Sequence, residues 1–202
     1  SSSEVYGQVS EDEVPITESC PFRPASPYAV SKVGEDMVAF QYWVSYKIKT
    51  IRTRMFTHTG PRRGDVFAMS FFGKQIAAAE LGLKEPIIHV GNLKSIRTFC
   101  DVRDAVKAYW LLVNKCKPGE VYNIGGDATL TIGEALEKML SFSRKKCEVK
   151  VDPNLLRPSD VTLQIPSTEK FSKETGWKPE IHLEKTLRDI LDYWRDELSR
   201  CP

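Results

Sequence analysis

Segments with helical periodicity alternate along this chain with short β-branched, apolar runs, and proline and glycine punctuate the joins. A chain that keeps switching between the two periods is restricted to an α/β fold. The first strong helix signal is Ser26-Pro27. Serine can cap free amides there, and proline suits the first helical turn because its missing N–H has no partner. A helix is predicted from Pro27 past Val44. Lys49 to Phe56 then alternates Ile51, Thr53 and Met55 and reads as a strand ending before Gly60-Pro61.

Further along, Phe67 to Ala79 reads as helix and Ile87 to Val90 as a short strand. Asp101 can cap a helix carrying Val102, Ala105, Val106, Tyr109 and Leu112, and Val121 to Ile124 reads as a buried strand. Thr131 and Glu134 have capping-box spacing ahead of Ile132, Ala135, Leu136, Met139 and Leu140. Leu183, Leu187, Ile190, Leu191, Trp194 and Leu198 give a last amphipathic helix.

Composition narrows the function. The 202 residues are 41% hydrophobic and 10% aromatic, enough apolar material for one or two compact α/β domains. The 29 basic residues are spread along the chain and the net charge is only +2, so nucleic acid is excluded as an expected partner. No apolar run reaches the length of a membrane span, and Ser1 to Ser10 has neither the basic segment nor the apolar core of a signal peptide, so the expected location is the cytoplasm. Five separated cysteines, Cys20, Cys100, Cys116, Cys147 and Cys201, form no close chelating pair and read as reduced packing or surface residues, with no metal.

Tyr28 and Lys32 lie four apart on the expected first helix, on one face about a turn apart. An ammonium beside a phenol favours the phenolate, making it a usable base toward a sugar hydroxyl. Such a pair also occurs on ordinary surface helices, and its meaning depends on its surroundings. Upstream stands Ser1-Ser2-Ser3-Glu4-Val5-Tyr6-Gly7, and the pair sits in Arg23-Pro24-Ala25-Ser26-Pro27-Tyr28-Ala29-Val30-Ser31-Lys32. In this order the segments resemble the extended short-chain dehydrogenase/reductases, in which a serine or threonine at a strand end, a nearby glutamate and a YxxxK helix form the catalytic group.

That resemblance implies the C-terminal part of a Rossmann-type doubly wound parallel sheet plus a smaller α/β substrate-binding domain. The expected division is 1–57 with 98–126 in a partial NAD(P)-binding domain, and 58–97 with 127–202 binding the nucleotide sugar. By resemblance Ser2 bonds the reacting sugar oxygen, Tyr28 is the acid/base, and Lys32 tunes it and binds the cofactor ribose. Glu4 matches the extra carboxylate of the sugar-nucleotide 4,6-dehydratases, where a carbon-bound proton must be removed and water expelled. Ser3 after Ser2 is similar to the GDP-mannose 4,6-dehydratases rather than the glucose-type enzymes.

Phe56-Thr57-His58-Thr59-Gly60-Pro61-Arg62-Arg63-Gly64 resembles the dehydratase segment that meets the cofactor, which implies cofactor roles for His58 and Arg63. Thr57 stands where the family usually has asparagine and is the implied substrate contact. Val90-Gly91-Asn92-Leu93 through Arg97-Thr98-Phe99 resembles a segment contacting the substrate, with Asn92 and Arg97 implied, Arg97 toward the diphosphate. Thr98 stands where aspartate is common. Leu156-Arg157-Pro158-Ser159-Asp160 resembles a late motif in which Arg157 meets the diphosphate and Asp160 a ribose hydroxyl. Outside this resemblance, such arginines and acids read as solvated loops and ion pairs.

The resemblance implies an NADP-dependent lyase acting on a GDP-sugar, with NAD as the other cofactor, and a homo-oligomer in which Phe40, Tyr42, Trp43 and Tyr46 supply aromatic anchors. Its likeness begins in the middle of the family pattern, and no GxGxxG occurs in the 202 residues, so the cofactor-phosphate loop is expected elsewhere. Two other activities share much of this pattern. One is a GDP-4-keto-6-deoxy-sugar reductase, the other a non-catalytic nucleotide-sugar-binding subunit.

Overall fold

The computed structural model describes residues 1–156 and 160–200. In chain order its elements are α1 (Pro27–Tyr46), β1 (Arg52–Met55), β2 (His58–Thr59), α2 (Ala68–Glu80), β3 (Ile87–Val90), β4 (Ile96–Asp101) and α3 (Val102–Lys115). They continue with β5 (Val121–Ile124), β6 (Ala128–Thr131), α4 (Ile132–Leu140), β7 (Glu148–Val151), β8 (Leu163–Gln164), α5 (Glu169–Thr175) and α6 (Leu183–Arg200). The caps expected from sequence are in place. Ser26 Oγ accepts from the Ala29 amide at 3.1 Å, the Asp101 side chain accepts from the Arg103 amide at 2.8 Å, and Thr131 with Glu134 closes a capping box. α1 ends at Lys47, whose left-handed backbone (φ 55°) stops the helix.

Two compact units form. The first comprises Ser1–His58, Ile96–Thr129 and Ser159–Glu180; the second comprises Thr59–Ser95, Leu130–Pro158 and Ile181–Pro202. The expected division placed 127–202 in one body, whereas the structure folds Ser159–Glu180 with the first unit. The physical reason is pairing and burial. β8 pairs with β4, Arg97 opposite Gln164, and Phe171 and Trp177 enter the core around Tyr122, Ile124, Cys100 and Leu112.

In the first unit β1 and β5 run parallel from Arg52 opposite Val121 to Met55 opposite Ile124. Parallel neighbours need a long crossover, and α3 lies within this one. β4 stands between β2 and β6, the strands in which the chain passes from one unit to the other. Gly126 is required here, because a Cβ would sit 1.7 Å from the Phe99 carbonyl oxygen. A second apolar cluster, Val5, Tyr6, Val9, Ile16 and Phe56, anchors the N-terminal segment.

The second unit is built on α2 and α6 with the parallel pair β3 and β7. Met69, Phe72, Ile76, Leu136, Met139, Leu187, Ile190 and Leu191 are among its buried side chains, and Trp194 donates its indole N–H to Ser70 Oγ at 3.0 Å. Among the described residues no helix is long and apolar enough to cross a membrane. Cys20, Cys100, Cys116 and Cys147 are free thiols.

Candidate active site

Ser2 pairs as a parallel bridge with Met55, the last residue of β1, so it lies at the carboxyl end of that strand, where open α/β sheets place their ligands. A single 3-10 turn, Ser3–Tyr6, follows, and Ser2 Oγ caps it by accepting the Glu4 amide at 3.3 Å. Gly7 ends the turn at φ 61°, and a Cβ there would meet the Arg23 carbonyl oxygen at 1.8 Å. The sequence Ser-x-Glu-x-x-Gly thus has a local cause. The hydroxyl caps, the carboxylate rides on the turn, and glycine lets the chain pass Arg23.

Glu4 is half-buried, and its Oε1 accepts from Gln164 Nε2 at 3.1 Å. Tyr6, in the same turn, donates to Asn123 Oδ1 at 2.7 Å and accepts from Arg54 Nη1 at 3.0 Å. Burial pushes the Tyr6 phenol up to about 12, so it is a fixed neutral donor rather than a base. Arg54 lies over the Tyr6 and Phe22 rings and pairs with Asp36 at 2.9 Å; Arg52 pairs with the same carboxylate at 3.2 Å. Asp36 is 1% exposed and belongs to α1. This charged cluster ties α1, β1, β5 and the Ser2–Glu4 turn into one frame.

On that frame α1 presents Tyr28, 54% exposed, with the Lys32 ammonium 5.8 Å from the ring centroid. Lys32 also pairs with Glu35 at 2.5 Å, and this carboxylate holds the ammonium above the ordinary lysine range. Ser1 Oγ donates to the Lys32 carbonyl at 3.1 Å, which sets the start of the turn against the helix. A phenol and an ammonium accessible on one helix face are donors suited to ribose hydroxyls, so these residues fit a dinucleotide cofactor.

The Thr57 carbonyl accepts the Cys100 amide at 2.9 Å, and His58 Nδ1 lies 3.3 Å from the Phe56 carbonyl oxygen. Arg97 Nη2 donates to the Val161 carbonyl and lies 4.0 Å from the Asp160 carboxylate, so the structure brings together two residues 63 positions apart that the sequence assigned to substrate. In the second unit the Arg63 guanidinium stacks 3.7 Å from the Phe67 ring centroid. The Asn92 amide shapes its own loop, donating to Ser95 Oγ at 3.0 Å and accepting from the Lys94 amide at 2.9 Å. Arg157 lies outside the described residues.

Three groups escaped sequence reasoning. Glu35 had a usable signal, its spacing three residues beyond Lys32. Asp36 and Gln164 had none, since each acts across the fold on partners far away in the chain.

Comparison with known proteins fits this geometry. The family model for GDP-mannose 4,6 dehydratase matches residues 1–190. The chain belongs to the GDP-mannose 4,6-dehydratase family. It is similar to the GDP-6-deoxy-D-mannose reductase of Pseudomonas aeruginosa, 33% identical over 198 residues covering 98% of this chain and 65% of the relative. It is also similar to the GDP-mannose 4,6-dehydratase of Yersinia enterocolitica, 28% identical over 220 residues covering 95% of this chain and 58% of the relative. The solved structure of RMD from Pseudomonas aeruginosa complexed with NADPH superposes with a TM-score of 0.91 at 32% identity, over 98% of this chain and 65% of that one. This member of the GDP-mannose 4,6-dehydratase family thus spans 58% to 65% of the length of these relatives. Its fold is the Rossmann-type α/β fold of short-chain dehydrogenase/reductases, in its C-terminal part.

Proposed function

We propose that this chain is the substrate-transforming part of a cytoplasmic, homo-oligomeric GDP-sugar 4,6-dehydratase that converts GDP-mannose to GDP-4-keto-6-deoxymannose with NADP. The carrying observation is the Ser2–Glu4 turn, with its carboxylate held by Gln164, on the same frame as the Tyr28–Lys32 face of α1. A bound nicotinamide would accept the hydride from C4 of the sugar and return it to C6. Ser2 Oγ bonds the C4 oxygen, and Tyr28 takes the C4 hydroxyl proton with the Lys32 charge beside it. Glu4 removes the C5 proton. The C5–H electron pair then forms the C5–C6 double bond, the C6–O bond breaks, and the departing hydroxide takes up a proton to leave as water; when hydride adds to C6, C5 takes up a proton in turn, one that has exchanged with solvent.

His58 and Arg63 serve the cofactor in this reading, and Thr57, Asn92, Arg97, Arg157 and Asp160 the nucleotide sugar. Asp160 beside Arg97 supports this, since an arginine fork suits diphosphate oxygens and a carboxylate suits a ribose hydroxyl. The NAD(P)-binding part is then centred on the first unit, which also carries Thr57, Arg97 and Asp160.

Turnover of GDP-mannose by the intact protein in deuterated water tests the assignment. Deuterium is expected at C5 of the product, and Glu4→Gln is expected to slow loss of water by about 10²–10⁴-fold. A product without solvent deuterium at C5 rules the dehydratase out. The reductase reading is favoured by the 33% identity to the Pseudomonas enzyme. NADPH consumed mole for mole with a GDP-4-keto-6-deoxy sugar, with no loss of water from GDP-mannose, would establish it instead.

A further inference from the structure

Gln164 is 1% exposed on β8, and its amide is gripped at both ends by consecutive residues of the Ser3–Tyr6 turn. Its Oε1 accepts from Ser3 Oγ at 3.3 Å and its Nε2 donates to Glu4 Oε1 at 3.1 Å. The amide has one sensible orientation. Turned over, its oxygen would face the carboxylate oxygen and no donor would reach Glu4. The strand that carries Gln164 is itself fixed. Gln164 pairs with Arg97 across β4 and β8, and Gln8 Oε1 accepts from the Thr162 amide at 2.7 Å and its hydroxyl at 3.2 Å. Ile16 donates its amide to the Ile165 carbonyl at 2.8 Å and accepts from the Ser167 amide at 2.8 Å. A buried amide on so constrained a backbone has little freedom, so it selects one arrangement of the Glu4 side chain before any substrate arrives.

We propose that Gln164 is a positioning residue for Glu4, fixing the carboxylate in the arrangement in which it takes the C5 proton. This rests on the reading of Glu4 as the dehydration base. Gln164 touches neither substrate nor cofactor in this role and acts wholly through Glu4. Arg97 stands opposite Gln164 on β4 and Asp160 lies three residues before β8, so binding of the sugar nucleotide and orientation of the base share one rigid segment.

A double-mutant cycle in the intact protein with NADP and GDP-mannose tests the assignment. Gln164→Met keeps the volume and removes both hydrogen bonds. It is expected to lower kcat for dehydration and C5 exchange by about 10²-fold, the scale of a misplaced reacting group, with KM within about threefold of the parent. In a Glu4→Gln background the same substitution should have no further effect, because the group it positions is already gone. Thermal melting of each variant corrects the rates for the folded fraction. The proposal is overturned if Gln164→Met leaves kcat unchanged, or if it removes the same factor in both backgrounds as a general packing defect would. Should Glu4→Gln alone keep the dehydration rate, the reading of Glu4 as the base fails, whatever Gln164 does.

Discussion

α1 carries two kinds of charged or polar group along the face that residues four apart share, exposed in its first turns and buried one turn further on. Tyr28, 54% exposed, and Lys32, with 29% of its side chain exposed, stand outward near the start of the helix, and Lys32 shares its charge with an exposed glutamate. Asp36, one turn beyond Lys32, is 1% exposed and pairs with two arginines from β1. The outward pair is accessible to a ligand and contributes little to folding, because exposed ion pairs are worth about 0–1 kcal/mol. The inward acid holds the frame and touches nothing that reacts. One helix thus separates chemistry from stability by burial along its length, and substitutions at the exposed and the buried positions should separate in the same way.

The largest expected effect is at the exposed pair. Tyr28→Phe removes only the hydroxyl, and turnover by the intact protein should fall by about 10²–10⁴-fold, the usual contribution of a positioned acid/base. The ring is more than half exposed, so the unfolding free energy should stay within about 0.5 kcal/mol of the parent. Denaturant unfolding and steady-state rates measured on one preparation decide it. A loss of activity that tracks a loss of fold would break the comparison.

Next comes the buried acid. Asp36→Asn keeps the shape and removes the charge, leaving the Arg54 guanidinium, 4% exposed, without its counter-ion. Breaking a buried pair from one side is strongly unfavourable, and a loss of about 3–5 kcal/mol in unfolding free energy is expected. Arg54 keeps its bonds to Tyr6 and to the Glu18 carbonyl, so the frame should persist at low temperature, with kcat per folded molecule close to that of the parent. A variant that stays stable but loses kcat would assign Asp36 to the chemistry after all.

The exposed pair was legible in the sequence and the buried acid was not, for a physical reason. Ser26-Pro27 sets the start of α1, and the four-residue spacing of Tyr28 and Lys32 follows from helix geometry alone. Short-range caps at Asp101 and Thr131, and β3 and β5 with their dense β-branched or apolar content, were legible for the same reason. β4 and β8 were not, because Ile96–Asp101 mixes arginine, threonine and cysteine and becomes a strand only through partners on both sides. An aspartate in mid-helix reads as a solvated position until two arginines from another element are seen to reach it. Gln164 and Glu4 lie 160 positions apart, and no local spacing announces their contact.

The smallest effect sharpens the division, because it falls at the end of the helix next to the exposed pair. Ser26 caps the first turn of α1, the turn that holds Tyr28, through the Ala29 amide at 3.1 Å. Ser26→Ala leaves that amide without its acceptor and is expected to lower the unfolding free energy by about 1 kcal/mol. Fraying confined to one turn should also loosen Tyr28, with turnover falling less than about tenfold, since a cap of that energy shifts the local equilibrium by no more. Denaturant unfolding and kcat for the same variant give both numbers. A turnover loss as large as that of Tyr28→Phe would mean that order in the first turn, and not the phenol by itself, supplies most of the rate. The exposed pair of α1 would then depend on local folding as much as the buried acid does.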